Sequence, residues 1–196
     1  CFGGDGGVMF LYHNFDFLGL RDEHGNISLA NMLHHPHNVP VGPESTEQFR
    51  LHSDWITAVK YIKEMNCVVT ASMDSNMRVF DIEEKRVART LGAHSKGVLC
   101  VAFVRSQFLL ASSGQDKSIL LWNPYISQPL AMLYGHSSIV ISLTVNEKEQ
   151  QLISLDQTKT IKVWATTKGY RCLQTLNDKK VRKPNDMLTF IKYDPF

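Results

Sequence analysis

Four cysteines in 196 residues, none in a Cys-x-x-Cys pair, leave this chain without the spacing of a zinc finger or a dithiol centre. Cys1, Cys67, Cys100 and Cys172 read instead as reduced thiols, several of them inside apolar strand-like runs, as expected of an intracellular, cytoplasmic protein. No apolar run is long enough to span a bilayer and no signal peptide opens the chain, so no membrane partner is expected. Charge of one sign is equally scarce. A net charge of +2, from 21 basic and 19 acidic residues, offers no field for a nucleic acid or a strongly anionic substrate. Glycine and proline, at 12 and 7, are too few for a disordered chain, and 43% hydrophobic content suffices for a core. Domain boundaries are lacking too. The chain enters directly at Phe2-Gly3-Gly4-Asp5-Gly6-Gly7-Val8-Met9-Phe10-Leu11 and leaves at Phe196 just after Met187-Leu188-Thr189-Phe190-Ile191, so it reads as a piece of a longer protein.

What the chain does have is self-similarity. His52, His94 and His136 lie 42 residues apart. Eighteen residues after each stands a hydroxyl residue, Thr70, Ser112 or Ser154, and 28 after each an aromatic, Phe80, Trp122 or Trp164. A unit this short cannot bury its apolar face alone and must stack on its neighbours. The middle unit is the clearest. Val98–Phe103 and Phe108–Ser112 read as strands, a turn follows at Gly114–Lys117, then come strands at Ile119–Trp122 and Leu130–Leu133. Four short strands per unit, separated by turn residues, predict an all-β fold.

Ala93-His94, Ser112, Asp116 and Leu121-Trp122-Asn123 together resemble a WD repeat, the blade of a β-propeller. Gly135-His136 to Ile161-Lys162-Val163-Trp164 is similar, and His52 to Phe80-Asp81 keeps the register without the tryptophan. The resemblance implies a β-propeller arc of four-stranded antiparallel blades, with three full repeats and two partial ones. The units are 1–11 as the end of a partial blade, 12–51 as its fourth strand plus an insertion, 52–93, 94–135 and 136–177 as WD repeats, and 178–196 as the start of the next blade. The insertion adds 27 residues relative to the stretch from Phe80 to His94. Propellers usually close with about four to eight blades, so these residues alone form an open arc with raw edges.

The resemblance further implies a buried hydrogen-bonded network in each blade: His52, Thr70, Asp74 and Phe80; His94, Ser112, Asp116 and Trp122; His136, Ser154 and Trp164. Imidazole has two nitrogens, a hydroxyl both donates and accepts, and indole only donates, so the types are complementary. Only the middle set is complete. Phe80 cannot donate, and Thr158 stands where the third aspartate is due, with Asp156 two residues earlier.

Other motifs carry weaker chemistry. A histidine, serine and aspartate invite a hydrolase reading, but they recur in a structural register and no Gly-x-Ser-x-Gly elbow is present. Gly3–Gly7 aligns with the turns at Asp74 and Asp116 and lacks the Lys-Ser/Thr ending of a phosphate loop. His34, His35 and His37 offer imidazoles for zinc or copper, but one short window rarely closes a tetrahedral site. Lys179–Lys183 is basic without interleaved aromatics and reads as a solvated loop.

Function is expected at positions where the repeats differ in step. These are Asp54, Lys96 and Ser138; Trp55, Gly97 and Ile139; and Met73, Gln115 and Gln157 before the turn. In the family such loops crowd onto one rim. Asp54, Trp55, Met73, Lys96, Gln115, Ile139 and Gln157 are therefore candidate partner contacts, with Trp55 and Ile139 as anchors; equally, Trp55 folds back over its own blade. The expected function is a non-enzymatic scaffold binding other proteins, with no cofactor or metal in this segment. An alternative comes from a finer similarity to long WD-repeat proteins that also carry an EF-hand. It implies calcium binding in the intact protein, through a segment outside these residues, since no EF-hand loop occurs here. The complete middle network generates a first prediction. Trp122→Phe should cost more stability than Phe80→Leu in urea titrations, and the reverse order would count against the network.

Overall fold

The computed structural model describes residues 2–3, 8–12, 46–167 and 169–177. Fifteen strands form four antiparallel sheets among these residues. Sheet I joins β1 (Phe2–Gly3), β2 (Val8–Tyr12) and β3 (Thr46–Arg50). Sheet II holds β4 (Ile56–Ile62), β5 (Cys67–Ser72), β6 (Met77–Asp81) and β7 (Arg86–Leu91). Sheet III holds β8 (Val98–Val104), β9 (Leu109–Gly114), β10 (Ile119–Trp122) and β11 (Pro129–Leu133). Sheet IV holds β12 (Val140–Asn146), β13 (Gln151–Asp156), β14 (Thr160–Ala165) and β15 (Cys172–Asn177). In each full sheet the strands run in chain order from one edge to the other. The all-β expectation of four-stranded antiparallel blades is met.

Burial explains why near-continuous apolar runs such as Leu109-Leu110-Ala111 are strands. β5 and β9 are buried at every residue because both faces of the sheet meet a neighbouring sheet. Odd and even positions therefore feed different cores. Val79, Leu91, Leu110, Leu120 and Trp122 close the space between sheets II and III. Ala111, Ile119, Leu121, Val140, Leu143 and Trp164 do the same between III and IV, and Phe49 meets Phe80 between I and II, with ring centroids 4.7 Å apart. Leu176 shows what a missing neighbour does. It is 46% exposed, while Leu91 and Leu133 in the same register are 0% and 5% exposed.

The repeat extends to its irregularities. Bulges fall at Ile56/Ala58, Val98/Cys100 and Val140/Ser142, and again at Val79/Phe80, Leu121/Trp122 and Val163/Trp164. Ser75, Lys117 and Lys159 take left-handed backbone at φ 69°, 67° and 65°, each a non-glycine residue held there against a cost of about 1 kcal/mol. Phe108 does not begin the second strand as the pattern suggested. It ends a short 3-10 turn (Arg105–Gln107) at φ 56°, and its ring stacks on Tyr125. The strand pairing with β2 is β3, at the far end of the insertion. The candidate histidines 34, 35 and 37, the basic run at 179–183 and the segment 178–196 lie outside the described residues.

At the rim where β4, β8 and β12 end, side chains link the sheets. The Arg105 guanidinium meets Glu64 of sheet II. The Glu147 carboxylate of sheet IV accepts from the Arg105 and Ser106 amides at 2.6 and 3.1 Å.

Candidate interaction rim and its supporting network

At the opposite rim, each of the three full sheets begins with a loop carrying histidine and then a strand. All three imidazoles are buried. In sheet III, Trp122 Nε1 donates to Ser112 Oγ at 2.8 Å, Ser112 Oγ meets His94 Nε2 at 2.8 Å, and His94 Nδ1 meets Asp116 Oδ2 at 2.8 Å. The carboxylate accepts at Nδ1, so that nitrogen carries the proton and Nε2 accepts from the hydroxyl. The chain thus runs in one direction from indole to carboxylate. It ties the third strand, the second strand, the entry loop and the turn to one another.

Sheet IV repeats this with a shifted partner. Trp164 Nε1 donates to Ser154 Oγ at 2.8 Å, and Ser154 Oγ lies 2.7 Å from His136 Nε2. The third set is therefore not short of a carboxylate: Asp156 Oδ2 sits 2.9 Å from His136 Nδ1. Thr158, at the expected aspartate position, donates its hydroxyl to Asp156 Oδ1 at 2.7 Å, as Ser118 does to Asp116 at 2.8 Å. Space permits the shift. In sheet III the register position of Asp156 is Gly114, where a Cβ would stand 2.7 Å from the Gly97 carbonyl; there the carboxylate must come from two residues later.

Sheet II keeps His52 Nε2 against Thr70 Oγ1 at 2.8 Å and His52 Nδ1 against Asp74 Oδ2 at 3.0 Å. Phe80 donates nothing and packs instead on Phe49. Arg78, which sequence reasoning passed over, lies 3.3 Å from Asp74 and donates to the Leu51 carbonyl.

Burial lowers the pKa of His52, His94 and His136, although the facing carboxylates pull the other way. For the aspartates burial pulls upward, but hydrogen bonds outweigh it. The donors are His52, Ser53 and Asn76 for Asp74, Ser118 and His94 for Asp116, and Thr158, His136 and Thr160 for Asp156, and all three carboxyls end below their ordinary value. The folded ground state is neutral imidazole beside carboxylate. Burial also raises the Cys67 and Cys100 thiols, leaving them protonated and unreactive. Ser112 and Ser154 are fully buried beneath tryptophan, so no substrate reaches them as nucleophiles.

These struts fix the loops above them. Asp74 and Asp116 also accept from the amides of Ser53 and Ser95 at 3.2 and 3.1 Å. Met73, Gln115 and Gln157 each donate an amide to the carbonyl of Trp55, Gly97 and Ile139, at 3.0, 2.9 and 2.9 Å. Ser72 Oγ donates to the Asp54 carbonyl, and Asp54 Oδ1 accepts from the Trp55 amide at 2.8 Å. On this frame Asp54, Trp55, Lys96 and Gln157 are exposed, and Met73, Gln115 and Ile139 are half-buried. Trp55 does not fold back: it is 61% exposed. Met73 reaches toward sheet III, where a Cβ on Gly97 would stand 2.8 Å from its sulfur and the Gln115 amide lies 3.9 Å away.

A profile of the WD domain, G-beta repeat family matches residues 43–81, 85–123 and 127–165, more than half of the chain, which therefore belongs to this family. Each matched unit opens with the outer strand of one sheet and continues with three strands of the next, as β3 does in sheet I and β7 in sheet II. Among similar proteins, the nuclear distribution protein nudF of Aspergillus flavus is 28% identical over 156 residues, covering 77% of this chain and 34% of the relative. Nuclear distribution protein PAC1 of Arthroderma benhamiae is 30% identical over 149 residues, covering 70% and 32%. Cilia- and flagella-associated protein 337 B of Tetrahymena thermophila is 26% identical over 112 residues, covering 57% and 9%. The chain thus spans about a third or less of the length of these relatives.

Two outcomes follow from the network. Asp156→Ala should cost about 2 kcal/mol or more in urea unfolding, because it orphans a buried imidazole N–H, whereas Thr158→Ala should cost less than about 1 kcal/mol; equal losses would contradict the shifted carboxylate. Histidine and aspartate pKa values are both lowered by folding, so the unfolded chain binds more protons on the acid side. Stability should be complete above about pH 6.5, fall as pH drops through the lowered histidine values, and fall again below about pH 4 as the carboxylates protonate. Urea midpoints that stay level to about pH 5 would rule this out.

Proposed function

We propose that this chain is a protein-interaction scaffold without catalytic chemistry of its own, and that it binds a protein partner through the rim of Trp55, Lys96 and Ile139. The observation carrying this reading is the indole of Trp55, held in solvent on a loop pinned at the Asp54 carbonyl, the Trp55 amide and the Trp55 carbonyl. A large aromatic on a backbone already fixed in place needs no ordering of its loop on binding. Asp54 lies beside it, Lys96 and Gln157 are exposed at the same rim on sheets III and IV, and half-buried Met73 and Gln115 meet between sheets II and III.

An intracellular, cytoplasmic setting goes with the unpaired Cys67, Cys100 and Cys172. No helix among the described residues is long and apolar enough to cross a membrane. The finer likeness to long WD-repeat proteins with an EF-hand, including the insect WD repeat-containing protein on the Y chromosome, draws no support from the family match or the relatives described above, and no structural observation favours calcium binding over the rim reading.

The double substitution of Trp55 and Ile139 by alanine should abolish capture of the partner that the wild-type protein recovers in a pull-down, with an unchanged circular dichroism spectrum. Undiminished capture by the double variant would reject this rim.

A further inference from the structure

Residues 118–146 contain no aspartate, glutamate, lysine or arginine, in a chain that is 20% charged. Burial accounts for β10 and most of β12, but not for what lies between them. Tyr125, Ile126, Leu130, Met132 and Tyr134 are exposed, with Met132 at 44% and Tyr134 at 67%. Leu130 and Met132 lie on the outer strand of sheet III, Tyr125 and Ile126 in the turn leading into it, and Tyr134 just past its end. The equivalent turn and strand of sheet II, 81–91, carry Asp81, Glu83, Glu84, Lys85, Arg86 and Arg89, the usual protection of an outer strand.

The pairing register says which way these side chains face. Met132 pairs with Leu120, which belongs to the core between sheets II and III. Met132 therefore faces sheet II, and the Tyr134 hydroxyl lies 3.2 Å from its sulfur. Arg89 pairs with Val79, a member of the same core, so Arg89 faces sheet III. The outer mouth of the cleft between the two sheets thus has an apolar wall of Met132 and Tyr134 opposite a wall bearing Arg89. That guanidinium is exposed and makes no hydrogen bond or ion pair with any described residue.

The neighbouring pairs in the same register are different. Sheet II has Arg78 opposite Thr90, and sheet IV has Lys162 opposite Thr175, whose hydroxyl accepts from the lysine at 2.8 Å. Only sheet III, among the three full sheets, replaces cation and hydroxyl by leucine and methionine.

We infer that the outer cleft between sheets II and III is a second docking site, distinct from the rim, for an extended peptide segment of another protein that carries an aspartate or glutamate beside a large apolar side chain. Side chains of the two sheets fill the space of about 10 Å between packed faces, so a partner reaches only the outer edge, along the strand of Met132, where an extended segment can lie and a folded domain cannot enter. Arg89 supplies a planar cation for the carboxylate, and desolvation by the apolar wall strengthens that contact. The unbranched Met132 adapts to an aliphatic or aromatic side chain.

The test is selection of a displayed library of random dodecapeptides on the full chain. Enriched sequences should hold an acidic residue within two positions of Leu, Ile, Met or Phe. Arg89→Glu and Met132→Asp should each weaken the enriched peptides by at least about tenfold, and reselection on Arg89→Glu should favour lysine or arginine. Trp55→Ala should bind as wild type. Unfolding midpoints confirm that each variant is folded, and Arg89→Ala with Met132→Ala serve where a charge reversal is not tolerated. No enrichment, enrichment without acidic residues, or binding that survives both cleft substitutions overturns the proposal. Peptides lost only in Trp55→Ala would also overturn it while leaving the rim reading standing.

Discussion

A buried, uncharged imidazole holds each repeat together. Neutral histidine has one donor and one acceptor on opposite sides of its ring, so it can join a carboxylate to a hydroxyl but cannot join two carboxylates. That polarity dictates the residue types around it. Acid must lie toward the turn, serine or threonine on the second strand and, where present, tryptophan on the third. Each bond contributes about 1 kcal/mol net, but an orphaned partner in this dry position costs more, so the set behaves as one unit. Because the histidine sits in the loop that enters the sheet, the same unit also fixes where that loop leaves the surface.

The repeats show how much variation this constraint tolerates. Sheet IV moves its carboxylate by two residues, from the register of Asp116 to that of Gly114, and the threonine in the vacated position donates its hydroxyl to that carboxylate. Sheet II gives up the indole donor, accepts an aromatic contact from Phe49 of the preceding sheet, and places Arg78 on the aspartate. The strut survives wherever geometry returns a carboxylate to Nδ1 and a hydroxyl to Nε2. What differs freely is everything the strut does not touch: the rim side chains and the outer strands. Both proposed interaction surfaces lie there and not in the repeated geometry of the blade interior. The Glu64, Arg105 and Glu147 contacts on the far rim add a second set of links between sheets, so loops on adjacent sheets are displayed at fixed separation.

Periodicity in the chain was enough for the repeat, the four strands per unit and the histidine, hydroxyl and aromatic positions of the strut, because spacing along a strand translates directly into position in a sheet. It was enough also for the rim positions, since loops at equal offsets must emerge at the same edge. Where it misled, a local conformation was responsible. Phe108 looks like a strand residue by its side chain but occupies a left-handed turn, which no hydrophobic pattern announces. Arg78 escaped notice because its role depends on the carbonyl of Leu51, in a loop 27 residues away.

By itself, then, the sequence determined the β class, the stacking and the strut, all of which rest on residue type and spacing. Only the tertiary structure decided that Asp156 takes the carboxylate role, that Trp55 stands in solvent, and that Arg89 is turned toward sheet III and Met132 toward sheet II. Each of these depends on which face a side chain takes and on what the adjoining sheet places opposite it, and a linear repeat does not encode the distance between sheets.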